Sequence, residues 1–91
     1  MIFELWYNLF MSKSSVLSYS VIYEEDPEGG YIVRVPALPG CRTQGETIEE
    51  AEKNIREAIE LYLDSLEAHD EKIPQERRVF QSKVEISYPL V

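Results

Sequence analysis

Ninety-one residues, a formal charge of −8 and a 44% hydrophobic fraction fit one small globular domain and exclude a disordered chain. The acidic balance argues against a nucleic-acid surface, which needs clustered Lys and Arg, and favours a basic partner or plain solubility. The single cysteine, Cys41, excludes an internal disulfide, and no Cys/His set has zinc spacing, so a reducing cytoplasm is the expected compartment.

Residues 1–10, MIFELWYNLF, are apolar but short and contain Glu4. A spanning helix needs about 20 apolar residues, and a signal peptide needs a basic start and a small-residue cleavage site. Met11 reads as an ordinary second start, which makes residues 1–10 an upstream extension; the competing reading is an interfacial or partner-docking segment. The expected division is an extension over residues 1–14 and a single domain over residues 15–91.

From Leu17 to Glu24 apolar and polar residues alternate, and the pattern predicts strand one. Asp26-Pro27 and Gly29-Gly30 then supply turn chemistry. Strand two is expected over Tyr31–Val35, antiparallel to the first. Pro36 and Pro39 stop it, because each lacks an N–H donor. Pro39-Gly40 suits the middle of a type II turn, with Gly at the positive-φ position. A short third strand follows over Cys41–Gln44, and Gly45 bends its exit.

Thr47-Ile48-Glu49-Glu50 is a capping box, and its acids suit the positive end of a helix dipole. Ile48, Ala51, Ile55, Ala58, Ile59, Tyr62, Leu63 and Leu66 recur at three- and four-residue steps, the wide apolar stripe of a helix lying on a sheet. The opposite face carries Glu49, Glu52, Lys53, Arg56, Glu57, Glu60, Asp64 and Glu67, with Glu49–Lys53 and Glu52–Arg56 at favourable spacing. The stripe is lost after Ala68, and Pro74 prevents continuation. Phe80, Ser82, Val84, Ile86 and Tyr88 then share one side of a final strand, with Lys83 and Glu85 on the other. The order β-β-β-α-β describes an α+β fold, a small antiparallel sheet with one long helix packed across it. One helix leaves the second face or an edge of the sheet needing cover, which a mate chain supplies; Phe80, Val84, Ile86 and Tyr88 are the candidate oligomer strand.

The stretch from Gly29 to Leu66, with the hairpin before it, resembles the HicB antitoxin family. The likeness rests on Glu24-Glu25-Asp26, Gly29-Gly30-Tyr31, Val35-Pro36, Leu38-Pro39-Gly40-Cys41, Gln44-Gly45 and Thr47 leading into a Glu- and Ala-rich helix. It covers somewhat over half the chain. The resemblance implies a degraded, partial ribonuclease-H-like fold. It implies a role as neutralising partner of HicA, a small basic toxin that cleaves mRNA with a histidine, and assembly as a homodimer or homotetramer. Many members carry a further operator-binding domain. Nothing after Pro74 is long or basic enough to be such a reader, so no direct nucleic-acid contact is expected.

Ribonuclease-H-like ancestry raises a second possibility, a residual metal-dependent nuclease, and a third, an orphan oligomeric binding module. A two-metal site needs carboxylates converging from separate elements. Glu24, Glu25, Asp26 and Glu28 instead sit together at a turn, and neighbours on a strand point to opposite faces, so the solvated-turn reading outweighs a metal site. His69, where the helix runs out, suits a surface capping role, and Cys41 reads as a packed small side chain. No catalytic residue, metal ion, cofactor or membrane contact is expected. The partner-binding candidates are Glu24, Glu25, Asp26, Glu28, Tyr31, Glu57, Glu60 and Asp64, an acidic surface that opposes a basic ribonuclease by complementary charge.

Overall fold

In a computed structural model that describes residues 16–90, three strands and one helix follow one another: β1 (Ile22–Glu25), β2 (Tyr31–Arg34), β3 (Arg42–Gly45) and α1 (Ile48–Ala68). The expected extension over residues 1–14 lies outside the described residues. The sheet is antiparallel throughout, in the order β1-β2-β3. Tyr23 faces Val33, which faces Thr43, and Tyr31 faces Gly45.

Turn chemistry fixes that register. At the first turn the Asp26 N–H donates to Gly30 O (2.9 Å) and the Gly29 N–H to Asp26 O (2.9 Å). The Asp26 carboxylate also accepts from the Glu28 N–H at 3.0 Å, holding the turn from inside. At the second, the Cys41 N–H donates to Leu38 O at 3.0 Å and Gly40 has φ +82°, the type II turn expected at Pro39-Gly40. The loop folds Leu38 inward, where it is fully buried.

β1 is shorter than expected at its start. Ile22 pairs with Arg34, the last residue of β2. Beyond it Val35 turns its N–H to the other side, to Cys41 O at 3.0 Å, and Pro36, the next residue facing β1, has no N–H to give and turns the chain away, so Leu17 to Val21 have no ladder to join.

Val33, Val35, Leu38, Cys41, Ala51 and Ile55 form the buried core, and Tyr19, Val21, Tyr23, Tyr31, Ala58, Ile59, Tyr62 and Leu63 pack around it half-buried. The helix lies over β3 and β2. At Gly45 the two backbones come close: a Cβ there would run into the Ala51 backbone, 2.8 Å from its Cα. Gly45 therefore lets the helix backbone touch the sheet, rather than bending the exit from β3. Ile48, expected in the apolar stripe, is 46% exposed.

Thr47 caps the helix, its Oγ1 accepting from the Glu50 N–H at 3.1 Å; the return bond of a full capping box is not made. The other end closes in a Schellman arrangement, with Glu71 N–H to Leu66 O at 2.8 Å and Asp70 N–H to Glu67 O at 3.1 Å. Asp70 takes the left-handed position at φ +54°. His69 caps the same end, its Nδ1 2.7 Å from Ser65 O.

The α+β body is as expected, but the expected final strand is not formed among the described residues. Residues 71–90 carry no regular secondary structure. Phe80 is 83% exposed, Val84 80%, Ile86 77% and Tyr88 74%. A strand needs a neighbour for its N–H and C=O groups, and past residue 81 no described residue supplies one. Its root is held: Tyr19 OH donates to Pro74 O at 2.6 Å, and Ser20 gives its N–H and Oγ–H to the two carboxylate oxygens of Glu76 at 2.6 and 3.0 Å.

Candidate partner-binding surface

The first turn and the start of the helix come together because Tyr31 pairs with Gly45, and Gly45 lies under Ala51. The result is an open hollow of about 520 Å³ lined by Asp26, Glu28, Tyr31, Gln44, Glu46, Glu50 and Asn54, among others. Four of those side chains are carboxylates, and Tyr31 is a half-buried aromatic among them. Asn54 spans the wall, donating from Nδ2 to Gln44 O at 2.8 Å, so the hollow has a fixed side. The facing helix terminus contributes its positive dipole end, which moderates the repulsion among the acids.

The expected site residues divide among separate surfaces. Asp26, Glu28 and Tyr31 share the hollow. Glu24 points to the sheet face away from the helix, where one of its carboxylate oxygens accepts from Arg34 Nε at 3.3 Å; both side chains are exposed, and such a pair is worth about 0–1 kcal/mol. Glu25 is exposed at the end of β1. Glu57 and Asp64 are exposed on the helix, about opposite the buried Ile55 by the 100° step of a helix. Glu60 lies at the rim of a groove between the helix and the strand side. Tyr19, Val21, Tyr23, Ile55, Ile59 and Leu63 give that groove its apolar lining, and Glu52 and Arg56 sit beside Glu60. Glu52 and Arg56 meet at 3.6 Å.

Glu46, Glu50 and Asn54 were absent from the expected set. The signal that could have found them is the pairing of two glycine-marked strand ends, Gly30-Tyr31 and Gly45, which carries the acids flanking Thr47 to the acidic turn.

Cys41 is not poised as a nucleophile. Burial pushes the Cys41 thiol up from its ordinary value, the opposite of activation. Burial also raises the phenols of Tyr19 and Tyr23, with Glu76 and Glu52 respectively adding to the effect and Arg56 opposing it at Tyr23. Among the described residues, no group of three or more His, Cys, Asp or Glu converges closely enough to hold a metal ion, and no helix is long and apolar enough to cross a membrane.

A three-stranded antiparallel sheet under one acidic helix, with a carboxylate-lined hollow at the helix start, defines a small α+β domain offering negatively charged surface. A family described as HicB-like antitoxin of the bacterial toxin–antitoxin system matches residues 19–89, and the chain belongs to that family. It is 55% identical over 60 residues to a UPF0150 protein of Thermoplasma acidophilum, covering 66% of this chain and 87% of that one. It is 44% identical over 66 residues to a UPF0150 protein of a Synechocystis species, covering 72% and 84%. A Helicobacter pylori UPF0150 protein is 42% identical over 69 residues, covering 76% and 94%.

Proposed function

We propose that this chain is an antitoxin that binds and occludes a small, basic, HicA-like mRNA-cleaving toxin. Family membership supplies the class of partner, a toxin. The observation that carries the finer reading is the hollow in which Asp26, Glu28, Glu46 and Glu50 surround Tyr31. A toxin that grips RNA must present positive charge to phosphates. A fixed array of carboxylates competes for that same surface, speeding encounter and rejecting acidic partners. The affinity then comes from a few buried anchors, and Tyr31, half-buried among the acids, is the residue type suited to that role. Glu24, Glu25, Glu57, Glu60 and Asp64 extend the negative field beyond the hollow. The chain acts by occupancy, without chemistry of its own. It works in the cytoplasm as a homodimer or homotetramer.

The test is titration of a cognate basic toxin's RNA cleavage with this chain. Stoichiometric addition abolishes cleavage, and the complex weakens as salt rises. Reversing Asp26, Glu28 and Glu50 to Lys together slows association at low salt by about tenfold or more. No complex at low salt, or inhibition indifferent to those three reversals, contradicts the reading.

A further inference from the structure

The segment after Pro74 leaves the body beside β1 and then runs out of partner. Tyr19 holds Pro74, Ser20 holds Glu76, and Val79, Phe80 and Gln81 face Ser20 to Glu24 across a cavity of about 540 Å³. The contacts advance in the same sense on both stretches, so the segment starts out parallel to β1, an edge strand with one unpaired side. β1 has four residues and spans about 13 Å, whereas residues 80–88 extended span about 30 Å. Among the described residues, the free edge of β1 is too short to pair this strand.

We propose that residues 79–90 become a strand by pairing antiparallel with the same segment of a second copy, with Val84 on the twofold axis. The sequence is self-complementary about that residue. Lys83 of one copy lies opposite Glu85 of the other, and the symmetry makes this contact twice. On the other face Phe80 meets Tyr88, Ser82 meets Ile86, and Val84 meets itself. Directly opposite side chains are the unit of sheet stabilisation, and opposite charges and aromatic pairs are among the favourable ones. Moving the axis one residue either way sets Lys83 against Lys83 or Glu85 against Glu85. Half-steps set apolar residues against polar ones and break the apolar face. The charges thus select one register as well as one partner, a second copy of this chain. Pro89, which has no N–H to offer, falls where the paired stretch ends. A two-stranded ribbon is marginal alone, and here each strand is rooted beside the β1 edge of its own body.

The inference gives the homo-oligomer proposed above its interface and rests only on that part of the reading. Sedimentation equilibrium of the full chain tests it. The wild type is expected to be a dimer, or a tetramer built from dimers. Lys83→Glu alone and Glu85→Lys alone each weaken the dimer by about tenfold, since each sets two pairs of like charges face to face. An equimolar mixture of the two single variants restores it, because both cross-copy contacts become opposite in sign. The double variant, Lys83→Glu with Glu85→Lys, restores it within one chain. The helical far-ultraviolet signal stays unchanged throughout, because both side chains are outside the core. A monomeric wild type overturns the proposal, as does an oligomer insensitive to the single reversals or a mixture that fails to recover. Toxin inhibition measured on the same samples separates the two readings. A monomer that still inhibits removes the paired strand and leaves the antitoxin, and a dimer that ignores the toxin does the reverse.

Discussion

Residues 22–68 and residues 72–90 carry equally clear patterns, yet of these two described stretches the first alone becomes regular structure. The body's elements find their partners nearby. β2 follows β1 after a five-residue turn, β3 follows after the Pro-rich loop, and the helix makes its own hydrogen bonds before it docks. The final segment has the alternation of a strand and, among the described residues, no partner of sufficient length. A helix needs only a face to bury, but a strand also needs a second backbone.

Paired truncations give the largest contrast. Leu38→Ala removes a fully buried side chain from the loop that closes the core and is expected to cost about 2–5 kcal/mol. Ile86→Ala, at 77% exposure, is expected to leave the unfolding midpoint of a dilute monomer unchanged within about 0.5 kcal/mol. Urea titration at low protein concentration reads both, and similar losses at the two sites would break the contrast.

Gly45→Ala sharpens the account of what holds the body together. The added methyl meets the Ala51 backbone, which cannot swing aside as a side chain would. The expected loss is about 2 kcal/mol, with β3 and the first helical turn exchanging amide hydrogens faster than the β1–β2 turn. A neutral substitution would mean that the helix does not rest on the sheet at that point.

A smaller effect comes from alkali. Tyr19 and Tyr23 keep their protons to higher pH in the folded chain than in the unfolded one, burial being the main cause in each. Above the ordinary tyrosine pKa of about 10, the unfolded state loses protons that the folded state retains. That contribution to stability is fully present below about pH 10 and is lost as pH rises through the folded-state values. Urea midpoints at pH 8 and pH 11 measure it. Tyr23→Phe should show a smaller decline than the wild type, and an equal decline removes Tyr23 from the explanation.

What was legible in the sequence follows the same division. Pro39-Gly40 announced its turn because few residues other than Gly take φ +82° easily, and Thr47 announced the helix because a first turn needs an acceptor for its free N–H groups. Both are local demands. The contact at Gly45 was not legible, since a glycine in a strand looks the same whether it bends the chain or admits another backbone. Asp70 in the left-handed position gave no warning, because Asp also tolerates that geometry. The acidic turn was visible, but its union with Glu46 and Glu50 depends on the pairing of Tyr31 with Gly45. Glu24, three positions from Pro27 on the same hairpin, joined the other face of the sheet through its contact with Arg34.

The division into a self-sufficient body and a final segment proposed to pair with a second copy is tested most directly by amide hydrogen exchange followed against protein concentration. The account predicts protection of the strands and helix at every concentration, and protection of residues 80–88 that appears only as the dimer forms. Equal protection of residues 80–88 in a dilute monomer, or none in a concentrated oligomer, would contradict it.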